Sequence, residues 1–197
     1  MAKTKVIYVY LLCILICSHL FSQDAVNLQS LQEVINSEME LRQCVKELYD
    51  SQVGVREVGG ENRGASVEMY LESVGLGHSL AWCAAFVSWC YQHAGVEAPK
   101  SGWVPSYALQ RKRIYQRGKF QKQKPQTGDV FMIWYHKLKR PAHIGFVDHW
   151  GDKWVVTVEG NTNDNGSREG DGVYRKRRLK KQIWAVSNFV SNTDRQK

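Results

Sequence analysis

The period of the hydrophobic pattern changes near residue 128, and that change limits the fold more than any other feature of this chain. Up to about residue 115 the apolar residues recur at helical spacing. Beyond Gly128 come five short segments, "DVFMIWY", "HIGFVDHW", "KWVVTVEG", "GVYRKRRL" and "QIWAVSNFV". They are rich in β-branched and aromatic residues and are separated by Gly, Asn, Asp and Lys, the pattern of successive strands. Helices first and strands second predict an α+β fold, with N-terminal helices packed on a C-terminal, mostly antiparallel β-sheet. With 43% apolar and 23% charged residues in a chain of 197, the composition is globular.

Within the helical part, Leu28, Leu31, Val34, Ile35, Met39, Leu41, Val45 and Leu48 predict one or two helices over 27–49. "VGGENRG" at 58–64 interrupts the pattern. Helices are expected over 64–74, ended by Gly75 and Gly77, and over 80–93, closed by Gly95. A loop with Pro99, Gly102 and Pro105 then leads to an expected short helix around 106–115 and a basic stretch, "RGKFQKQKPQTG".

The first residues, "MAKTKVIYVYLLCILICSHLFSQD", combine Lys3 and Lys5 with an apolar run and small residues near Ser22. They read as a secretory signal peptide, residues 1–22, which predicts a secreted or envelope protein. An uncleaved anchor or a lipoprotein signal ending at Cys13 or Cys17 are the rivals. The run is slightly short for a membrane span, and Leu12 and Ile16 are bulky for the position before a lipidated cysteine. Cleavage removes two lysines and no acids, so the net charge falls from +8 to about +6.

Cleavage also leaves three cysteines, Cys44, Cys83 and Cys90. An odd number in an oxidising compartment leaves at least one thiol unpaired within the monomer. If 80–93 is helical, Cys83 and Cys90 lie two turns apart, roughly 10 Å along one face, too far for a disulfide. A Cys44–Cys90 bond stays open. A nucleophilic cysteine needs a lowered pKa, which a helix N-terminus and an imidazole supply. Cys83 sits in the first turn, whereas Cys90 sits deep in the helix among apolar neighbours and reads as core filler.

A partner imidazole comes from the strands. His143 opens "HIGFVDHW" and Glu159 closes "KWVVTVEG". A three-residue loop at 150–152 would set His143 directly opposite Glu159. His143, Gly145, Val147, Val155, Thr157 and Glu159 would then share one face, and Ile144, Phe146, Trp154, Val156 and Val158 the other. A two-residue turn would break this pairing. A carboxylate across the strand orients the imidazole and stabilises its protonated form while the other ring nitrogen faces a thiol. Asn161, two residues beyond Glu159, points the same way and could orient the site or help bind an oxyanion, beside the backbone N–H of Cys83.

Taken in order, "WCAAFVSWCYQHAG", "TGDVFMIWY", "HIGFVDHW" and "VEGNTN" resemble the CHAP domain, a cysteine, histidine-dependent amidohydrolase/peptidase of the papain-like NlpC group. The resemblance spans roughly 55–190, leaving 23–54 as an N-terminal helical segment and 191–197 as a tail. It implies a papain-like fold with Cys83 as nucleophile, His143 as base, Glu159 as orienting acid and Asn161 as polar companion. The implied substrate is an amide bond of bacterial peptidoglycan, between muramic acid and the stem peptide or within the peptides, cleaved without metal or cofactor. Some members have a glutamine before the cysteine as an oxyanion donor; here Leu80, Ala81 and Trp82 precede it. An inactive wall-binding module, or a peptidyl- or acyl-transferase using the same thioester, are the alternatives.

Trp82, Trp103 and Tyr107 are candidates for lining a substrate groove, although packing is the commoner role of such aromatics. The run "RKRRLKK" at 175–181 reads either as a solvated sheet edge or as an attraction for anionic envelope polymers. No nucleic-acid-binding motif accompanies it. The histidines lack the spacing of a zinc site, and "GGENRG" lacks the context of a phosphate-binding loop.

Overall fold

A computed structural model describes residues 28–164 and 170–191. The segment read as a signal peptide and the last six residues lie outside the described residues. The chain divides into two compact units, residues 1–40 and 41–197. In the first, residues 28–40 are helical, as their spacing predicts, with Leu28, Leu31, Val34, Ile35 and Met39 exposed.

The second unit begins with helical residues 41–52 (α1), whose Val45 and Tyr49 are completely buried. Helices α2 (Ala65–Glu72) and α3 (Cys83–His93) follow. The expected helix around 106–115 does not form. Two short 3-10 turns, Val104–Tyr107 and Gln110–Lys112, lead instead into β1 (Arg113–Gln116), which pairs with β2 (Lys119–Phe120). Arg117 and Gly118 between them both have left-handed φ, 46° and 86°, the signature of the tight turn that suits a twisted hairpin. The strand tendency of "RIYQ" therefore prevails, and Ile114 and Tyr115 fill a core.

The remaining strands are β3 (Val130–Tyr135), β4 (Arg140–Trp150), β5 (Trp154–Thr162), β6 (Gly172–Leu179) and β7 (Ala185–Ser187). They form one seven-stranded sheet in the order β2-β1-β7-β3-β4-β5-β6, antiparallel throughout. The protein is thus α+β, with helices before an antiparallel sheet. Each face of the sheet supports its own core. Ile144, Phe146, Val158 and Met132 pack with α3 and α1 residues, while Phe131, Val147, Trp150, Val155 and Val186 form a second cluster.

Helix α3 packs on β4 and β5. Its residues 83–91 are all buried, which marks a helix apolar on every side. The approach depends on Gly160. A Cβ there would lie 2.7 Å from Cζ3 of Trp82 and 2.9 Å from Cβ of Phe86, so only a residue without a side chain lets the start of α3 touch β5.

Polar ties fix α1 to the sheet. Arg42 pairs with the fully buried Asp129 at 3.0 Å and donates to the Thr127 carbonyl. Asp129 also accepts the Gln126 N–H, so the "TGDV" segment is locked as a turn into β3. A bulge between Val147 and His149 leaves Asp148 to accept the Tyr49 hydroxyl and the Lys46 ammonium. All three described cysteines are free thiols, so the Cys44–Cys90 bond left open by the sequence is not formed. Among the described residues no helix is long and apolar enough to cross a membrane.

Candidate active site

Cys83 is the first residue of α3 and is 5% exposed. Its N-cap, Trp82, supplies no side-chain bond, and the first N–H groups of a helix have no partner within it. The helix dipole adds positive potential there, and no acidic residue occupies the first turn to cancel it. Cys90, two turns on, is completely buried, and burial pushes its thiol well above the ordinary range. One helix therefore holds two thiols in opposite environments.

Near the start of β4, His143 pairs through Nε2 with Glu159 Oε2 at 2.7 Å, leaving the other ring nitrogen for the thiol. Burial pushes the ring's pKa down. Hydrogen bonds to Cys83 and Glu159 and the carboxylate charge outweigh it, raising His143 to about 9. The ring is therefore a stronger base than an ordinary imidazole.

The expected register is corrected here. Phe146 pairs with Val158 and Val147 with Thr157, and continuing that register sets Gly145, not His143, across from Glu159. The imidazole and carboxylate meet diagonally, over Gly145. A Cβ at Gly145 would come within 2.9 Å of Cγ of Glu159 and Cε1 of Phe131, so the glycine leaves the space through which Glu159 reaches the ring. Face membership survives because the register differs from the expected one by an even number of residues. The loop has three residues as expected, but spans 151–153.

Glu159 is completely buried, yet three side chains, through four hydrogen bonds, hold it ionised. Burial alone would raise its pKa; bonds from Arg178 and His143, with their charges, lower it far below the usual carboxylate range. Arg178 Nε donates to Oε1 at 2.8 Å and its Nη2 donates to Oε2, while the Thr157 hydroxyl donates to Oε1 at 2.5 Å. Arg178 belongs to the basic run that reads from sequence as a solvated edge or an anion-attracting patch. Strand alternation on β6 puts Lys176 and Arg178 on one face, a signal that the sequence contains. Using it requires the β5–β6 register, in which Thr157 pairs with Lys176 and Val155 with Arg178.

The other expected site residues separate. Asn161, with left-handed φ of 52°, donates its amide to the Asn62 side chain at 2.8 Å. Asn62 in turn donates its backbone N–H to Glu57, which accepts the Trp82 indole N–H at 2.9 Å. Asn161 is thereby tied to the glycine-rich 58–64 loop and, through it, to the start of α3. Trp82 and Tyr107, candidates for a substrate groove, are completely buried. The Tyr107 hydroxyl donates to the Pro99 carbonyl at 2.9 Å, so both are packing residues and offer no surface to a ligand. Trp103 is 51% exposed, with the Arg140 guanidinium 4.0 Å from its ring centre. Among the described residues no group of three or more His, Cys, Asp or Glu side chains could hold a metal ion.

The site therefore joins a thiol at a helix start, a basic imidazole and a buried carboxylate, the parts that nucleophilic acyl chemistry requires. The sequence matches the family model of the CHAP domain over residues 75–161. That match begins just after α2, at Gly75, runs through α3 to Asn161 and takes in Cys83, His143 and Glu159. No curated protein and no solved structure matches the chain.

Proposed function

We propose, from the match to the CHAP-domain family model over residues 75–161, that the chain is an exported hydrolase of amide bonds in bacterial peptidoglycan, acting through a thioester on Cys83. CHAP is a peptidoglycan amidase or peptidase family, which gives the general kind; the roles of individual residues are our reading. The observation that carries it is His143 held between Cys83 and the buried, ionised Glu159.

In this mechanism the imidazole takes the Cys83 proton, and the thiolate attacks the scissile carbonyl carbon. The oxyanion faces the N–H of Cys83 at the start of α3. Collapse forms the thioester as the His143 imidazolium passes its proton to the leaving amine. Water, deprotonated by His143, then hydrolyses the thioester and releases the acid. Glu159 does not change protonation state. Anchored by Arg178 and Thr157, it keeps the ring oriented and stabilises its cation, as a buried carboxylate does in other nucleophile–histidine pairs. Asn161 acts on the loop beside α3 rather than on the imidazole.

The test incubates the protein and its Cys83→Ala variant with purified peptidoglycan, counting new amines and new reducing ends. New amines from the parent protein, none from the variant and no effect of a chelator are expected. Equal turnover by both proteins would remove Cys83 from the mechanism. Mass spectrometry of the fragments separates the muramic acid–peptide bond from bonds within the peptides.

A further inference from the structure

Antiparallel pairing brings the C-terminal ends of β1, β3 and β5 and the N-terminal ends of β4 and β7 to one end of the sheet. His143 and Asn161 lie at that end. A cavity of about 480 Å³ lies there too, lined by residues the chemistry above does not use. Tyr115 and Arg117 come from the β1–β2 hairpin, Trp134 and His136 from the end of β3, and Lys181 and Trp184 from the segment entering β7. Trp134 directly follows Ile133, the Cα partner of His143, so the cavity begins one strand over from the imidazole.

Its chemistry is specific. The Trp134 and Trp184 rings lie 5.1 Å apart at 42°. The Arg117 guanidinium lies 6.0 Å from the Trp134 ring. The wall segments are tied by backbone bonds, Trp184 N–H to the Met132 carbonyl and Arg117 N–H to the Trp184 carbonyl. Arg117 and Lys181 are exposed, and no lining residue is acidic. Flat aromatic surface suits the C–H faces of a sugar ring, and uncompensated cations suit a carboxylate. The volume falls in the range, roughly 300–1,000 Å³, of sites for small ligands.

The geometry points to this cavity as a subsite for a carboxylate-bearing sugar ring of a glycan strand, with Trp134 and Trp184 as its aromatic walls and Arg117 and Lys181 as its anion partners. The inference rests on reading the Cys83 centre as a peptidoglycan hydrolase. An amide hydrolase acting between sugar and peptide leaves a free carboxylate on the sugar, so such a subsite would hold a trimmed stretch of strand while the next bond is cut.

The test uses the full-length Cys83→Ala protein and two probes, N-acetylmuramic acid and N-acetylglucosamine, which differ by the 3-O-lactyl ether that bears the carboxylate. In NMR titrations the acidic sugar should bind more tightly by about tenfold, the scale of one charge-assisted hydrogen bond. Arg117→Gln combined with Lys181→Gln, both at exposed positions, should abolish that preference. Trp134→Ala should weaken both sugars. In the active protein the double charge variant should raise KM for whole peptidoglycan and leave kcat, set by the Cys83 centre, within about twofold. Equal affinity for the two sugars, binding of neither, or an equally strong response to a short oligonucleotide would overturn the assignment. Binding is read without turnover, so absence of hydrolysis by the active protein would sink the hydrolase reading alone. A missing sugar preference beside intact hydrolysis would sink the subsite alone.

Discussion

Cys83 and Cys90 differ only in position along one helix, yet position alone separates their chemistry. Cys83 has an imidazole beside it and backbone N–H groups that lack a partner within the helix; Cys90 is completely buried, and burial keeps its thiol protonated. Brief alkylation of the folded protein should label Cys83 well before Cys90, as mapped by peptide mass spectrometry, and the opposite order would contradict the assignment. Arg178 makes a second prediction at this scale. It shares the charge of Glu159 with His143, so Arg178→Met should leave more of that charge to the imidazole and remove a nearby cation. Both effects tighten the ring's hold on its proton. The alkaline limb of kcat/KM should move up, on the order of one pH unit, while a purely structural role for Arg178 would lower activity without moving the limb. Arg178→Lys, which keeps the charge, should restore most of the original profile.

The critical element contact is the crossing of α3 over β5. Gly160 makes it close, so Gly160→Ala must displace α3 or β5, and overpacking of this kind costs about 1–3 kcal/mol. Because the residue neighbours Glu159 in the chain and touches Trp82 at the N-cap of α3, the shift should also separate thiol from imidazole. The thermal unfolding midpoint and the turnover of peptidoglycan should both fall, turnover by more than the lost stability explains. The Arg42–Asp129 pair makes a different demand. Asp129→Ala takes a buried carboxylate from Arg42 and from the Gln126 N–H, so it should destabilise by about 3 kcal/mol, read as a lower urea midpoint, with no change in the pH limbs of whatever folded protein remains.

For the whole molecule, the His143–Glu159 pair links folding to pH. His143 is raised from 6.5 to about 9, so its stabilisation is complete below about pH 6.5 and is lost as pH rises through 9. Glu159 is lowered from 4.5, so its contribution is present above about pH 4.5 and is lost as pH falls toward its folded value. Urea midpoints should therefore be highest between about pH 5 and 6.5 and decline on both sides, and His143→Gln should flatten the alkaline decline. Within the basic run 175–181, Arg175 and Arg178 are already committed to ion pairs within the fold. The run 175–181 is less free than its composition suggests.

Helices before strands is an order legible in the sequence, because hydrophobic period is a local property that each segment carries alone. The sequence also places Cys83 in the first turn of a helix with Cys90 two turns deeper, and it sets His143 and Glu159 on one sheet face given a three-residue loop between their strands. Features that depend on register and close approach arise only when the segments fold together. His143 meets Glu159 diagonally across Gly145; Arg178 leaves the basic edge to anchor the carboxylate; Trp82 and Tyr107 are core; "RIYQ" is strand. Each follows from which residues of distant segments come opposite one another, and a bulge such as that between Val147 and His149 alters this without changing the period of either strand.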